Sequence, residues 1–363
     1  MLAVADRKSG PILGLLLSSE KWKRLALFED LAADHFGLEP TSPAREINAG
    51  NINRTAVISA AAGDFVLQDI NASIFGDTDA LMRNVEKVVQ RQRECNLPTI
   101  EFVRTRSDGL ITEHEGSVWR CYRFVEGEAT PPIETRDDAQ STARAFGRYA
   151  RAIDGLELDE HLAGYHDFDA RVDAFFAAVS ADAVGRLESC GRYVDDLVAM
   201  IDRLRVTSAF EARREVPVRN AHNDAKGPNC IIGSDGRTII DLDTTMPGTV
   251  LSDVGELVRS STRSMDDASP EALMEQVVSV NRGFLAGYGL DLTGAEHACM
   301  LLSGPLLTVE NSMRFMADHL SGDAYYGAAT VDQNLDRSIT QLRLAERLVE
   351  SIELATSGAL GAA

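Results

Sequence analysis

The sequence predicts an α+β chain of two lobes, a small sheet-bearing lobe followed by a larger, mainly helical one, and three observations carry the prediction. First, 363 residues with 44% apolar content exceed what one minimal core requires, so two lobes are the default. Second, strand-like runs crowd the stretch ahead of Pro131-Pro132. Third, the stretch beyond that pair carries apolar residues at helical spacing almost to the end of the chain. The expected divisions are an N-terminal helical segment at 1–40, a lobe of antiparallel sheet plus one helix at 41–130, a helical lobe at 131–355 and a disordered tail at 356–363.

The elements follow in order. An amphipathic helix is expected through Trp22 to Phe36. Thr55 to Ser59 and Asp64 to Ile70 read as strands, and Ala60-Ala61-Ala62-Gly63 between them suits a hairpin loop. Asp79 to Cys95 places Leu81, Val85, Val88 and Val89 on one helical face. Two more strands are expected at Thr99–Thr105 and Ser117–Val125. The second lobe opens with a helix over Asp137–Ile153, and Asp169–Val179 and Tyr193–Leu204 continue the pattern. Strand character returns at Asn229–Ile232 and Arg237–Leu242, with Ser234-Asp235-Gly236 as the turn. From Ser252 to about residue 354 the chain is helical throughout.

Composition removes several classes of function. A net charge of −20 opposes a nucleic-acid surface, which needs clustered Lys and Arg. No run approaches the roughly 18 apolar residues of a membrane span, so no membrane partner is expected. Cys95, Cys121, Cys190, Cys230 and Cys299 are scattered, without metal-ligand spacing, and read as reduced thiols of a cytoplasmic protein, a monomer or homodimer.

The segment that carries chemistry is His222 to Asp243, HNDAKGPNCIIGSDGRTIIDLD. Asp224 and Asn229 lie five apart among the turn formers Asn223, Gly227 and Pro228, so one loop can present both. A hairpin then returns the chain to Asp241. One carboxylate can accept a hydroxyl proton, while an amide oxygen and a second carboxylate can hold Mg²⁺, a hard cation that bridges phosphates. Phosphoryl transfer asks for this set: a positioned nucleophile, neutralised phosphates and little covalent work by the protein.

The spacing resembles the protein-kinase catalytic loop, His-x-Asp with Asn five residues on and a metal-binding Asp later. Ile240-Asp241-Leu242-Asp243, with Ser252-Asp253-Val254-Gly255-Glu256 downstream, is similar to the aminoglycoside/choline phosphotransferase branch. Three further stretches resemble N-acetylhexosamine 1-kinases: Gly50–Thr55; Phe65–Asn71 with Leu81–Val85; and Glu310 through Arg337. The resemblance implies a bilobal protein-kinase-like fold. It further implies ATP-dependent phosphorylation of a free hexosamine at its anomeric hydroxyl.

The roles implied are these. Asp224 orients or deprotonates the acceptor, Asn229 and Asp241 bind Mg²⁺, and Asp243 is a further ligand or caps the next turn. Lys226 steadies the transferring phosphoryl group or is a solvated lysine. His222 and Asp253 brace the loop. Gly50, Asn51, Ile52, Asn53, Thr55 and Gln68 contact the nucleotide, and the backbone of Phe124, Val125 and Glu126 meets adenine at the junction of the lobes. Gln68 stands where kinases place a lysine; the chain has only Lys8, Lys21, Lys23, Lys87 and Lys226, so a hairpin backbone, Mg²⁺ or an arginine must meet the phosphate charge. Arg314, Glu310, His166 and Asp167 are candidates for the acceptor sugar, each with an ion pair or helix cap as the other reading. Alternatives to the hexosamine are another sugar, an aminoglycoside or an amino alcohol, or a pseudokinase that binds nucleotide without turnover.

Overall fold

Alternation along three strands and a helical stripe ahead of them build the first of two units. A computed structural model describes residues 25–47, 52–129, 133, 135–234 and 236–358. Gly50, Asn51, Pro131, Pro132, Asp235, the start of the first expected helix at Trp22 and the tail from 359 onward lie outside the described residues. The first unit takes the described residues up to Thr78 and Ile100–Val125. It holds helix α1 (25–36), β1 (Arg45–Ile47), β2 (Arg54–Ala60), β3 (Gly63–Ile70), α2 (Ala72–Phe75), β4 (Phe102–Val103), β5 (Ile111–His114) and β6 (Ser117–Arg123).

The strands form one antiparallel sheet in the order β1-β2-β3-β6-β4, with β5 also on β6. Because side chains alternate across a strand, Ala56, Ile58, Phe65, Leu67, Trp119 and Cys121 share one face. They pack against Leu25, Phe28, Leu31, Ala32 and Phe36, the 3–4-spaced stripe of α1. Phe28 meets Trp119 edge-on, 5.3 Å between ring centres. Burying each of these larger side chains stabilises the unit by roughly 1.5–3 kcal/mol. The opposite face carries Thr55, Gln68 and Arg120 abreast on β2, β3 and β6.

Two strands differ from the sequence reading. Only Phe102–Val103 of the run from Thr99 to Thr105 pairs, because it reaches just Tyr122 and Cys121 on β6. β5, unread in the sequence, pairs His114 with Ser117 across a turn in which Glu115 and Gly116 take φ of 49° and 78°.

The second unit takes Asp79–Thr99 and the described residues from Glu126 onward. It contains the body of α3 (Thr78–Glu94), then β7 (Glu128–Ala129), α4 (Arg136–Ile153), α5 (Phe168–Ala181), α6 (Leu187–Arg205), α7 (Ser208–Ala212) and β8 (Arg219–Ala221). Next come β9 (Cys230–Gly233), β10 (Gly236–Ile239), β11 (Met246–Gly248), α8 (Val250–Thr262), α9 (Pro270–Tyr288), α10 (Gly294–Cys299), α11 (Ser303–Leu320) and α12 (Gln333–Thr356). Sequence texture places α3 with the sheet, yet its side chains bond within the helical unit. Buried Asn84 donates to the carbonyls of Asp159 (2.8 Å) and Thr245 (3.2 Å) and accepts from the Asp159 amide (2.8 Å).

Helices α4 and α9 approach backbone to backbone. A Cβ at Gly147 would stand 2.2 Å from the Phe284 carbonyl oxygen, and one at Gly283 would stand 2.2 Å from that of Gln140. A separate core joins α5, α6, α11 and α12 through Phe175, Leu197, Met313, Met316 and Leu342. The result is a bilobal fold, a small sheet-rich lobe and a larger helical one, of protein-kinase-like architecture. No described helix is long and apolar enough to cross a membrane. Among the cysteines, all free, only Cys95 is exposed.

Candidate active site

Two short antiparallel pairs frame the chemical segment: β8, just before it, pairs with β11, just after it, and β9 pairs with β10 inside it. The loop after β8 is held from beneath. Asp253, fully buried in the first turn of α8, accepts from the backbone N–H groups of His222 (3.1 Å) and Asn223 (2.8 Å). Burial pushes the Asp253 carboxyl up in pKa, and the two N–H groups and His222 oppose that push. Asn223 sits in the left-handed region, φ 62°, which Asn tolerates better than most residues. Its amide donates to the Thr244 carbonyl (3.0 Å) and accepts from Ser252 Oγ (2.9 Å). Gly248 is required beside it, since a Cβ there would lie 2.5 Å from Asn223 Oδ1.

His222 is fully buried, edge-on to Phe146 and Tyr149. Its Nε2 lies 3.0 Å from the Ile240 carbonyl and its Nδ1 lies 3.3 Å from the Asp224 amide. Through these two contacts His222 ties the Asp224 loop to the chain just ahead of Asp241.

Asp224, Lys226 and Asn229 stand close together. Lys226 Nζ donates to Asp224 Oδ2 at 2.6 Å, and Asn229 Nδ2 donates to the same oxygen at 3.0 Å and to the Asp224 carbonyl at 2.9 Å. Burial works against the charge on Lys226, but Asp224 and then Asp241 outweigh it and raise its pKa, so the ammonium stays protonated. Asp241 follows the Ile240 amide, which donates to the Asn229 carbonyl (3.0 Å), and takes the left-handed conformation, φ 60°. Asp241 keeps contact with solvent, yet the protein packed around it, and then the charges of Asp243 and Asp224, push its carboxyl up to about 6. Asp243 is buried, and its carbonyl lies 2.7 Å from His161 Nε2.

These residues suit a divalent cation. Asp241 and Asp243, whose charges repel one another, and Asn229, whose amide nitrogen is already turned toward Asp224, present the hard oxygen donors that Mg²⁺ prefers. Among the described residues no cluster of three or more His, Cys, Asp or Glu has the arrangement of a self-sufficient metal cage.

The acceptor candidates lie next to this loop. His166 Nε2 is 2.8 Å from the Asn223 carbonyl and Nδ1 is 2.9 Å from Glu310 Oε1. Two acceptors facing two ring nitrogens favour the doubly protonated ring. Burial lowers the His166 pKa, but Glu310 and the Asn223 carbonyl overcome burial and raise it. Arg314, one turn after Glu310 on α11, lies over Tyr165 (5.5 Å), Tyr326 (5.5 Å) and Tyr325 (6.0 Å). Asp167 caps α5 by accepting from the Ala170 amide. The three tyrosines went unnoticed in the sequence. Tyr325-Tyr326 lies in a loop without periodicity, and it reaches Arg314 because Asp318 accepts from the backbone amides of both tyrosines (2.8 and 3.0 Å).

In the sheet unit, Asn53 Oδ1 accepts from the Asn71 amide (3.1 Å), and Ile52 is exposed. Gln68 Nε2 donates to Thr55 Oγ1 (3.1 Å), and its Oε1 accepts from Arg120 Nε (3.0 Å) and Nη2 (2.8 Å). The Phe124 amide donates to the Asp64 carbonyl (2.9 Å), Val125 is half-buried, and Glu126 is exposed.

The family model APH, phosphotransferase enzyme family, matches residues 43–297, spanning every strand of the sheet and the whole of His222–Asp243. The chain belongs to the phosphotransferase enzyme family. It is a phosphotransferase. Solved structures share the family's fold across nearly the whole chain. A spectinomycin phosphotransferase, APH(9)-Ia, solved with ADP and spectinomycin, is 12% identical with a TM-score of 0.60, covering 91% of this chain and 98% of its own. An aminoglycoside phosphotransferase from Alicyclobacillus acidocaldarius is 15% identical with a TM-score of 0.60, covering 92% and 95%. A choline/ethanolamine kinase family protein from Mesorhizobium loti is 15% identical with a TM-score of 0.57, covering 93% and 97%. At such identities the likeness concerns the fold.

Proposed function

We propose that this phosphotransferase moves the γ-phosphoryl group of ATP to a hydroxyl of a small polyhydroxyl acceptor, with the anomeric hydroxyl of an N-acetylhexosamine, ahead of a free hexosamine, as the leading case. The supporting observation is the convergence of Asp224, Lys226, Asn229 and Asp241 around one loop. Asn229, Asp241 and Asp243 would hold Mg²⁺, which neutralises the nucleotide phosphates when bound. Asp224 accepts the acceptor's proton as its oxygen forms the bond to phosphorus and the bond to ADP breaks. Lys226 holds Asp224 in place and contributes positive charge to the equatorial oxygens. Thr55 and Gln68, with the backbone of Phe124 to Glu126, serve the nucleotide.

The hexosamine reading draws on the sequence resemblance at the third strand and the last helices, and on one feature of the acceptor side. Aromatic clusters often receive an ammonium group of a ligand. Here Arg314 already occupies that place against Tyr165, Tyr325 and Tyr326, which favours a neutral or anionic acceptor over a cationic one. The second reading, an amino alcohol or aminoglycoside, is supported by the names of the structural neighbours, spectinomycin phosphotransferase and a choline/ethanolamine kinase family protein among them.

The deciding measurement is ADP release from Mg²⁺-ATP against a panel of hexoses, N-acetylhexosamines, aminoglycosides and amino alcohols. Stimulation by an N-acetylhexosamine supports the leading reading; stimulation confined to cationic acceptors overturns it in favour of the second. Asp224→Asn should retain ATP binding while transfer falls by about 10²–10⁴-fold. Turnover near that of the wild type in that variant would remove Asp224 from its role.

A further inference from the structure

Helix α3 buries mainly apolar side chains, and Asn84 stands fully buried among them. A buried amide without partners is costly, by roughly 1–3 kcal/mol for each group left unpaired. The partners of Asn84 all come from two other segments of the helical unit. Its Oδ1 accepts from the Asp159 amide at 2.8 Å, and its Nδ2 donates to the carbonyls of Asp159 at 2.8 Å and Thr245 at 3.2 Å. A stripe of cations four residues apart runs beside it and fastens the helix to the same stretch of chain. Arg83 Nε donates to the Asp159 carboxylate (3.1 Å), Lys87 to the Glu157 carbonyl (2.5 Å) and Arg91 to the Ala152 carbonyl (3.4 Å). Segment 152–159 therefore clasps α3 along more than two turns.

Two residues further on, the clasp reaches the carboxylates of the site. His161 Nε2 donates to the Asp243 carbonyl at 2.7 Å, and its Nδ1 lies 3.4 Å from the Asn84 amide nitrogen. The short turn Leu242–Thr244 is thus gripped at Asp243 by His161 and just beyond its end, at Thr245, by Asn84. Its other bonds tie it to itself and to the Asp224 loop. The Thr245 amide donates to the Leu242 carbonyl (3.0 Å), and Thr244 Oγ1 donates to the His222 carbonyl (2.7 Å). Asp241 enters this turn with φ 60°, a backbone state that persists where the surroundings hold it.

We infer that His161 and Asn84 are positioning residues for Mg²⁺: they fix the backbone at Asp243 and Thr245, and through it the placement of the Asp241 and Asp243 carboxylates. Helix α3 is then a strut of the metal site. The inference rests on the reading that Asn229, Asp241 and Asp243 hold Mg²⁺, and it adds the groups behind them. Mg²⁺ demands near-ideal octahedral geometry, so a carboxylate displaced by a slack turn loses affinity for the ion. Groups that orient metal ligands are typically worth about 10–100-fold in metal affinity. Neither side chain takes part in the transfer step itself.

The test is the free Mg²⁺ concentration that half-saturates ATP binding, measured by calorimetry, with adenosine as the metal-independent control. His161→Leu should raise that concentration by about 10–100-fold and leave adenosine binding unchanged. Asn84→Ala should shift it in the same direction. His161→Gln, whose side-chain amide can donate to the same carbonyl, should recover most of the loss. A wild-type Mg²⁺ requirement in a folded His161→Leu or Asn84→Ala overturns the inference, and so does a His161→Gln as weak as His161→Leu. A parallel loss of adenosine binding overturns it too, because it marks a purely structural role. Should neither disruptive variant fold, amide hydrogen exchange of the wild type decides: adding Mg²⁺ to the ATP-bound protein should slow exchange in α3 and in 241–245 together. Protection confined to 241–245 overturns the inference. A wild type whose ATP binding ignores Mg²⁺ overturns the metal reading itself.

Discussion

Most charges near the Asp224 loop are held in definite protonation states by a small number of contacts. Lys226 stays charged because Asp224 and Asp241 outweigh its burial. His166 is the group with a consequence measurable by pH. Its folded-state pKa lies above the ordinary 6.5, so its pairing with Glu310 stabilises the native state fully below that value and fades as pH rises through the folded-state pKa. The melting-temperature gap between wild type and Glu310→Gln should therefore be widest near about pH 6 and narrow toward alkaline pH. A gap that widens with pH would show that His166 is not held protonated.

At the scale of elements, glycine decides how α4 and α9 pack. Gly147, Gly283 and Gly287 let the two helices meet along their backbones, and a Cβ at Gly287 would stand 2.1 Å from the Arg144 carbonyl oxygen. This contact matters to the site because α4 also carries Phe146 and Tyr149, the rings that flank His222. Gly287→Ala should lower stability by about 3 kcal/mol through overpacking, read as a lower urea midpoint at unchanged slope. A midpoint unchanged from wild type would mean the helices can separate without cost. Loop 321–332 is a contrasting element, with little regular structure, and it depends on Asp318 to hold Tyr325 and Tyr326 by their amides.

For the molecule as a whole, the charge of −20 sets the response to salt. Self-repulsion opposes the folded state and is screened once ionic strength brings the Debye length to about 10 Å, near 0.1 M. Thermal stability should therefore rise by a few degrees, on the order of 1 kcal/mol for a chain of this size, between about 10 and 200 mM sodium chloride. A melting temperature that falls with salt would show that attractive pairs such as Arg219–Glu296 and Arg186–Asp323 dominate the electrostatics instead.

Local regularity made much of this legible in the sequence. The bilobal fold could be read from the change in periodicity near Pro131, and the proximity of Asp224 to Asn229 from a five-residue spacing inside a run of turn formers. Such signals lie within a few residues of one another, and steric preference acts at that range. Other features were settled by long-range packing, which spacing does not encode. Arg120 stands beside Gln68 only because β6 pairs with β3 across 52 residues of chain, and Arg314 meets Tyr165, 149 positions earlier in the numbering, only because α11 packs against α5. The sequence by itself singled out Asp224, Asn229 and Asp241 as oxygen-bearing side chains within reach of one loop and hairpin. Tertiary structure decided which cation faces the third strand and what fills the aromatic cluster, because those depend on register and helix packing between segments far apart in the chain.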